Sequence, residues 1–183
     1  KIINDNITEV KLNTHPFTCL SKNKSQYKSD SLIIATGVQS YWLGLPSEEK
    51  FKGHGVSSCV ICDGFFYKNK KVAVVGNNNN AVKSALYLAD ITTQVTLIHH
   101  KNKLLASEAL QKKLLANSRR IKIIANSAIE EILGNENPLS VTGIKIKNLK
   151  SKEISTLTLD GLFIAIEHIP NTDIFKGALK LDK

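Results

Sequence analysis

The sequence contains no methionine, a single tryptophan, and arginine only at Arg119 and Arg120. The missing initiator methionine predicts that the chain is a piece of a longer protein. No apolar run approaches the roughly 18–20 residues that a membrane-spanning helix needs, so no membrane association is predicted. The first residues also lack the layout of a secretory signal peptide. These absences predict a cytoplasmic protein.

The formal net charge of +9 arises mainly from lysines that are spread over the whole chain. Proteins that bind nucleic acid concentrate basic residues in a patch or stripe, and those that bind single strands interleave them with aromatic side chains. The sequence has neither pattern, so nucleic acid is not predicted as a partner. Hydrophobic residues make up 42% and charged residues 22% of the chain, which is typical of a globular protein with a sizeable core.

The chain has three cysteines, and two of them, Cys59 and Cys62, form a C-x-x-C motif. An odd count without a secretion signal favours a cytosolic redox pair over a framework of structural disulfides. Half a zinc site is the alternative, but the sequence offers neither a second cysteine pair nor a suitably spaced pair of histidines, so no metal is predicted. Cys19 stands alone in an alternating segment and is predicted to be a small buried side chain.

The C-x-x-C spacing near a predicted helix start places two sulfur atoms within reach of a disulfide bond. The peptide dipoles of a helix N-terminus make the reactive thiolate available near neutral pH. Asp63 follows the second cysteine directly and could give a proton to the thiolate that leaves during exchange. The alternative for Asp63 is a carboxylate that only stabilises the start of the helix.

A strand, a glycine and a helix follow the cysteine pair, over residues 71–75, Gly76 and residues 80–90. With the next strand, residues 94–99, they make a βαβ unit of about thirty residues, the length that such a crossover needs. The dinucleotide-binding form of this turn has a glycine for the bend, a second glycine that lets the backbone reach the pyrophosphate, and a third small residue. The candidate residues here are Gly76, Asn77, Asn78, Asn79, Asn80 and Ala81, with asparagine in the place of the second glycine.

The remaining patterns complete an α/β fold that contains a parallel sheet and an antiparallel β-meander. Residues 17–20 and 27–36 predict a hairpin, and the apolar run 31–37 predicts a strand buried on both faces. Its final Thr36 and Gly37 allow a ligand to approach the backbone, although a simple tight turn is the alternative. Other predicted elements are an irregular linker over 38–58, a helix over 107–117, short strands over 121–125 and 128–133, a meander over 139–148 and 153–159, and a buried strand over 160–166.

The second strand of a dinucleotide-binding unit ends where the adenosine ribose is recognised. An acidic residue there favours NAD, whereas a basic one accepts the 2′-phosphate of NADP. Here the strand ends in His99, His100 and Lys101, followed by Lys103, with no carboxylate nearby. The residues therefore favour NADP, and the alternative is a solvated basic loop in a lysine-rich protein.

With these motifs, the chain resembles the low-molecular-weight bacterial thioredoxin reductases, which are flavoprotein pyridine nucleotide-disulfide reductases. The resemblance covers essentially the whole chain, and its most specific part is C-V-I-C-D-G-F-F-Y at residues 59–67. Peroxiredoxin-reductase flavoproteins share C-x-x-C-D-G, but the F-F-Y continuation is more similar to thioredoxin reductase. The other matching segments are residues 32–37, 41–58, 72–89, 95–101 and 161–175.

The resemblance implies a Rossmann-like NADPH-binding domain inserted into an FAD domain. Residues 1–40 and 164–183 would be partial FAD-domain segments, with Thr36 and Gly37 at the flavin cofactor, and residues 41–163 would form the NADPH domain that carries the dithiol. The cofactors would be FAD and NADPH, and the partners thioredoxin and, in the full-length protein, a second copy of the chain. The NADPH domain would rotate about hinges near 38–45 and Ile166.

The resemblance also implies a route for electrons. Hydride would pass from NADPH to FAD, then to the Cys59–Cys62 disulfide, and thiol exchange would deliver the electrons to thioredoxin. Cys62 would face the flavin, Cys59 would attack the thioredoxin disulfide, and Asp63 would be the proton donor.

The sequence departs from the family pattern at three places. The turn is G-N-N-N-N-A where the family has G-G-G-N-T/S-A, the phosphate clamp H-R-R-x-x-x-R is reduced to His99, His100, Lys101 and Leu105, and Glu167 replaces a glycine. Lysine and histidine are poorer phosphate forks than arginine. Two alternatives therefore stay open: a reductase of the same fold with another electron donor, and a degenerate fragment that binds a dinucleotide without turnover. The first FAD fingerprint and the late G-D motif of the family lie outside the chain, which predicts poor FAD binding by this piece alone.

Overall fold

The structure is a computed structural model that describes residues 1–182. This part of the chain folds as two compact units, one of residues 1–39 and 168–182, and one of residues 40–167. Lys183, the last residue of the predicted segment 164–183, lies outside the described residues. No helix within the described range is long and apolar enough to cross a bilayer.

In chain order the strands are β1 (Ile7–Lys11), β2 (Phe17–Ser21), β3 (Gln26–Ser29), β4 (Val38–Ser40), β5 (Val56–Ser57), β6 (Lys71–Val75), β7 (Gln94–Ile98), β8 (Ile121–Ile124), β9 (Ser127–Glu136), β10 (Leu139–Asn148), β11 (Ile154–Thr158), β12 (Gly161–Ile164) and β13 (His168–Pro170). The α-helices are α1 (Pro46–Phe51), α2 (Val60–Asp63), α3 (Asn79–Ile91) and α4 (Glu108–Ala116). Short 3-10 helices cover Gly64–Tyr67 and Asp173–Phe175.

The larger unit is built on a five-stranded parallel sheet in the order β5-β12-β6-β7-β8. Successive side chains of a strand point to opposite faces. On β6, Val72 and Val74 therefore pack with α3 and α4, whereas Ala73 and Val75 pack with the strands of the meander. The result is three layers: helices, parallel sheet and antiparallel sheet. The predicted α/β fold is confirmed, as are the βαβ unit and the helix after it.

Helix α3 begins where the sequence pattern predicts it. The side chain of Asn78 caps the helix by accepting the Ala81 backbone N–H at 3.0 Å. Ala81, Ala85 and Leu88 lie on the face against the sheet and are fully buried. The small alanines let the helix backbone come close to the strands, so the start of α3 is held at the end of β6.

The third layer is the sheet β9-β10-β11, and it confirms the predicted meander. Ile132, Ile144 and Ile146 are buried and pack in one cluster with Leu162 and Ile164 of β12. Strand β9 is longer than the predicted strand over 128–133. Its extra residues pair with the start of β10 and lie at the exposed end of the hairpin, so they carry no buried apolar pattern.

The irregular linker predicted over residues 38–58 is only partly correct, because it contains α1. The helix has six residues, too few for an apolar repeat, and Pro46 occupies its first turn. Glu48 of this helix is buried, and its carboxylate accepts the backbone N–H groups of Leu43 at 2.9 Å and Gly44 at 2.8 Å. The carboxylate therefore fixes the irregular segment that leads into the helix.

The smaller unit contains the antiparallel sheet β1-β2-β3 and a core that includes Val10, Cys19 and Phe175. The hairpin and the burial of Cys19 are confirmed. The strand predicted over residues 31–37 is wrong: the segment has no strand structure, and Ile33 is 91% exposed. A strand needs neighbours for its backbone hydrogen bonds, and β1, β2 and β3 pair only with one another in the described chain. Strands β4 and β13 form a separate two-stranded sheet.

Candidate active site

Cys59 and Cys62 form a disulfide on the larger unit, with an S–S distance of 2.00 Å and Cα atoms 5.3 Å apart. Cys59 is half-buried and caps α2, whereas Cys62, inside the helix, is exposed. The third cysteine, Cys19, is a buried free thiol in the other unit. The structure therefore pairs the two cysteines that the spacing predicts as a redox couple.

Hydrogen bonds fix Cys59 more firmly than Cys62. The backbone N–H of Cys59 donates to Ser57 Oγ at 3.0 Å, and the Cys59 carbonyl accepts the Asp63 N–H at 3.0 Å. The backbone N–H of Cys62 donates to Cys59 Sγ at 3.2 Å. A donor in this position stabilises negative charge on the Cys59 sulfur once the disulfide is reduced. The geometry therefore favours Cys59 as the site of the thiolate.

The segment that carries the cysteines packs on the sheet and on α3. Val60 is buried, and Gly64 lies so close to α3 that a β-carbon there would stand 3.2 Å from both Leu88 and Tyr87. Tyr67 closes the segment by packing edge-on against Phe163 of β12, with ring centroids 5.2 Å apart. These contacts hold the disulfide on a rigid support.

Three large apolar side chains within a few residues of the cysteines face solvent. Ile61, between the two cysteines, is 75% exposed, and Phe65 and Phe66 are 69% and 71% exposed. Contiguous exposed apolar side chains are uncommon on protein surfaces and mark interaction sites. The F-F-Y segment is part of the family signature, but two adjacent phenylalanines in a sequence do not indicate whether they are exposed. Their position on the surface was therefore not predicted.

Asp63 is half-buried, and its carboxylate makes no hydrogen bond within residues 1–182. Burial raises the pKa of Tyr67, and the negative charges of Asp63 and Asp160 raise it further. Asp63 therefore lies beside the cysteines and close enough to Tyr67 to affect its ionisation.

The predicted dinucleotide turn joins β6 to α3. Gly76 has φ +151°, and a β-carbon there would collide with the Ala165 carbonyl and stand 2.7 Å from Ala81 Cβ. Only glycine fits this first position. Asn78 has φ −97°, so the second position does not need glycine for its backbone. Its side chain turns back to cap α3 and to donate to the Ile166 carbonyl.

Asn77 has the side chain in this turn that is best suited to bind a ligand. Its Nδ2 is buried and has no hydrogen-bond partner among the described residues. A buried donor without a partner costs free energy, and a phosphate oxygen would satisfy it. Asn79 and Asn80 begin α3 and are exposed. The turn therefore has the donor and the glycine bend that a pyrophosphate site needs.

The basic residues after β7 are divided by burial. His100, Lys101 and Lys103 are exposed, whereas His99 is only 2% exposed and its Nδ1 has no partner among the described residues. Burial lowers the pKa of His99, the backbone at Lys101 opposes this shift, and the charge of His100 adds to it. The side chains of His100, Lys101 and Lys103 are therefore accessible to a phosphate, whereas that of His99 is buried.

Thr36 and Gly37 lie in the smaller unit and are exposed. The Asn171 backbone N–H donates to the Gly37 carbonyl at 3.0 Å, and Asn171 Nδ2 donates to the Thr36 carbonyl at 2.9 Å. Thr36 and Asn171 line a cavity of about 490 Å³ in this unit. No group of three or more His, Cys, Asp or Glu side chains that could hold a metal occurs in the part of the chain described.

Comparisons with known proteins match the whole chain. The profile of the family described as "Pyridine nucleotide-disulphide oxidoreductase" matches residues 1–183. Thioredoxin reductase of Rickettsia typhi is 45% identical over 182 residues, and that of Coxiella burnetii is 48% identical over 185 residues; each alignment covers 100% of this chain. Among solved structures, thioredoxin reductase from Giardia duodenalis has a TM-score of 0.92 and 34% identity over 100% of this chain and 59% of its own.

The chain spans only part of these relatives, namely 58% of the Rickettsia protein and 57% of the Coxiella protein. Its cysteine pair, turn and three-layer fold all lie within the matched region, because that region is the entire chain. The family profile likewise leaves no residue unmatched. The chain belongs to the pyridine nucleotide-disulphide oxidoreductase family.

Proposed function

We propose that the chain is the dithiol-bearing and NADPH-binding part of a thioredoxin-disulfide reductase. The observation that carries this proposal is the Cys59–Cys62 disulfide, in a segment with an exposed cysteine and exposed apolar side chains, on a chain that matches thioredoxin reductases over its whole length. A disulfide that only stabilised the fold would gain nothing from exposed phenylalanines beside it. A protein partner that presents its own disulfide would bury them.

The exchange uses both sulfur atoms. After reduction, the Cys59 thiolate attacks one sulfur of the thioredoxin disulfide, forms a mixed disulfide and expels the other sulfur as a thiolate. Cys62 then attacks the Cys59 sulfur, restores the Cys59–Cys62 bond and releases the second thioredoxin thiolate. Two electrons pass to thioredoxin, and its two thiolates take up two protons. The N–H of Cys62, 3.2 Å from Cys59 Sγ, stabilises the attacking thiolate.

Asp63 is the proposed proton donor for the departing thiolate. It follows Cys62 in the chain, its carboxylate is half-buried, and no side-chain partner among residues 1–182 competes for it. A proton passed from solvent through this carboxylate would prevent the expelled sulfur from attacking the mixed disulfide again.

The residues of the turn fit a dinucleotide. Gly76 leaves space that a β-carbon would fill, and Asn77 Nδ2 is a buried donor without a partner. The turn from Gly76 to Ala81 would hold the pyrophosphate of NADPH through its backbone N–H groups and Asn77 Nδ2, because the side chains of Asn78 and Asn79 are already bonded within the protein. His100 and Lys101 would hold its 2′-phosphate, with the buried His99 next to them in the chain. When bound, NADPH supplies the hydride that FAD relays as an electron pair to the disulfide.

The other parts of the proposal concern the whole protein. The unit of residues 40–167 would be the NADPH domain, and the unit of residues 1–39 and 168–182 would belong to the FAD domain, with Thr36 and Gly37 at the flavin. The cavity beside Thr36 supports that placement. We also propose a cytoplasmic location, where thiols such as Cys19 stay reduced, and a homodimer of the full-length protein.

A single-turnover experiment tests the disulfide chemistry without any cofactor. The 183-residue chain is reduced with dithiothreitol, freed of the reagent and mixed with oxidised thioredoxin. We expect the thioredoxin disulfide to be reduced while the Cys59–Cys62 bond re-forms, as shown by mass spectrometry after alkylation. Cys62→Ser should trap a mixed disulfide through Cys59. Failure of the reduced chain to transfer its electrons would contradict the proposal.

The electron donor needs its own test. Calorimetric titration of the chain with NADPH and with NADH compares their affinities directly. Tighter binding of NADPH supports the proposed donor. Binding of neither nucleotide, together with active thiol exchange, would instead favour a reductase of the same fold that uses another donor. Nucleotide binding without thiol exchange would favour a degenerate fragment that binds a dinucleotide without turnover.

A further inference from the structure

The dinucleotide turn is tied to the basic residues after β7, which we call the basic loop and define as residues 99–106. Two backbone N–H groups from the loop and the start of α4 reach back to the turn. Leu105 N–H donates to the Asn77 carbonyl at 2.7 Å, and Ser107 N–H donates to Asn79 Oδ1 at 2.8 Å. The loop is therefore held against the turn at its far end.

The N-terminal end of the loop is held by the residues at the start of β9. The Ser127 N–H donates to the His99 carbonyl at 3.0 Å, and the Asn126 N–H donates to the Lys101 carbonyl at 3.1 Å. Both of these bonds, like the bond between Leu105 and Asn77, join only backbone atoms. The Asn79–Ser107 bond is the only side-chain hydrogen bond between the turn and the loop region among residues 1–182. Its strength thus depends on the identity of residue 79.

The sequence of the loop makes this bond important. Lys101 and Lys103 are exposed, flexible side chains, and a lysine meets phosphate as a point charge without the fixed fork of arginine. The position of such a charge depends on the backbone that carries it. Ser107, which precedes α4, makes no side-chain cap, and its N–H is held by Asn79, so Asn79 also helps to anchor the start of this helix.

We propose that Asn79 is a positioning residue that holds the basic loop in register with the turn, so that the protein distinguishes dinucleotides with a 2′-phosphate from those without one. The inference rests on the proposed NADPH binding and deepens it. Asn79 acts on the 2′-phosphate through the loop, and its loss weakens recognition of that phosphate more than recognition of the 5′-phosphate at the turn.

Two small probes separate the two phosphates. Adenosine 2′,5′-bisphosphate engages both the turn and the loop, whereas 5′-AMP lacks the 2′-phosphate. Calorimetric titration of the 183-residue chain should give tighter binding of the bisphosphate. In Asn79→Ala, we expect the bisphosphate affinity to fall about fivefold, the equivalent of one hydrogen bond, and the 5′-AMP affinity to change less than about twofold.

The matched control is Asn117→Ala, which removes another asparagine hydrogen bond, to the Lys113 carbonyl at the far end of α4, and should leave both affinities unchanged. Asn79→Asp keeps the acceptor for Ser107 and should return the ratio of the two affinities to its original value. Amide hydrogen exchange at Ser107 should accelerate in Asn79→Ala and stay slow in Asn79→Asp.

Equal losses for both probes in Asn79→Ala would overturn the inference, because they would show that Asn79 contacts the shared part of the nucleotide. An unchanged bisphosphate affinity would overturn it as well. If the unsubstituted chain bound neither probe, dinucleotide binding itself would fail and the inference with it, a result distinct from the first two.

Discussion

The ring of Tyr67 lies over the α-carbon of Gly161, so that a β-carbon at position 161 would stand 2.7 Å from Tyr67 Cδ1. Tyr67 is the last residue of the cysteine-bearing segment, and Gly161 is the first residue of β12. The same ring packs edge-on against Phe163 two residues further along the strand. The packing of the cysteine-bearing segment on the sheet therefore requires glycine at position 161.

Gly161→Ala should destabilise the larger unit, because the new methyl group and the Tyr67 ring cannot both keep their positions. Overpacking of this kind costs about 1–3 kcal/mol in free energy of unfolding, which urea titration measures. In the double variant Gly161→Ala/Tyr67→Ala the clash is absent, so the two effects should not add. Strict additivity would show that the ring does not depend on Gly161.

Phe66→Ala should slow thiol exchange with thioredoxin about tenfold, because an aromatic side chain buried at the centre of an interface commonly contributes more than 1 kcal/mol to binding. Reduction of the Cys59–Cys62 bond by dithiothreitol should not change, since the small reagent needs no docking surface. Ile154→Ala is the control: Ile154 is an exposed apolar residue on β11 and should not affect the exchange rate. Equal slowing of the exchange with thioredoxin and of the reduction by dithiothreitol would point to a disturbed disulfide rather than a lost surface.

Glu48→Ala should cost about 2–4 kcal/mol in free energy of unfolding, because it removes two hydrogen bonds that a buried carboxylate accepts from the backbone N–H groups of Leu43 and Gly44. Glu49→Ala offers a matched comparison one residue away. Glu49 is exposed and pairs only with Lys52 among residues 1–182, so its loss should cost less than about 1 kcal/mol. Similar costs for the two variants, measured by urea titration, would show that the Glu48 carboxylate does not anchor the segment.

His99 should make the stability of the protein depend on pH. Burial lowers its pKa in the folded state below the ordinary value of 6.5, so the unfolded chain takes up the proton first as pH falls. The stabilising contribution is complete above that ordinary value and is lost as pH falls from it towards the folded pKa. His99→Leu should therefore lose less stability than the unsubstituted chain between about pH 7.5 and about pH 5.5. His100→Gln removes the charge that adds to the shift of the His99 pKa, so it should weaken this dependence without abolishing it.

The sequence predicts an element of secondary structure best when the residues that pack against that element also lie within the chain. The buried runs of β6 and β7 and the spacing of Ala81, Ala85 and Leu88 are set by packing against each other, and all appear where expected. The strand predicted over residues 31–37 has the same apolar character, yet it finds no neighbouring strand in the described chain and stays exposed. An apolar run specifies a buried strand only if other strands are present to pair with it.

The candidate site shows a similar division. The cysteine pair and Gly76 follow from local spacing, because a disulfide and a tight turn each involve residues a few positions apart. The side-chain direction of Asn78, the burial of His99 and the bond from Ser107 to Asn79 depend on residues that are distant in sequence. Spacing alone cannot supply such contacts, and four consecutive asparagines do not differ from one another until the fold places them.

The strand order β5-β12-β6 has a consequence for how the protein reaches this state. The cysteines lie on the connection between β5 and β6, but the strand that separates these two in the sheet, β12, is nearly the last part of the unit in the chain. Pairings between residues far apart in sequence form late and slowly during folding. The unit β6-α3-β7-β8 can assemble from local contacts. The part of the sheet on which the cysteine-bearing segment packs is complete only after residues 161–164 have inserted. Until then Cys59 and Cys62 are carried on an unsupported loop, so a nascent chain acquires its redox centre only when synthesis of the unit is nearly complete.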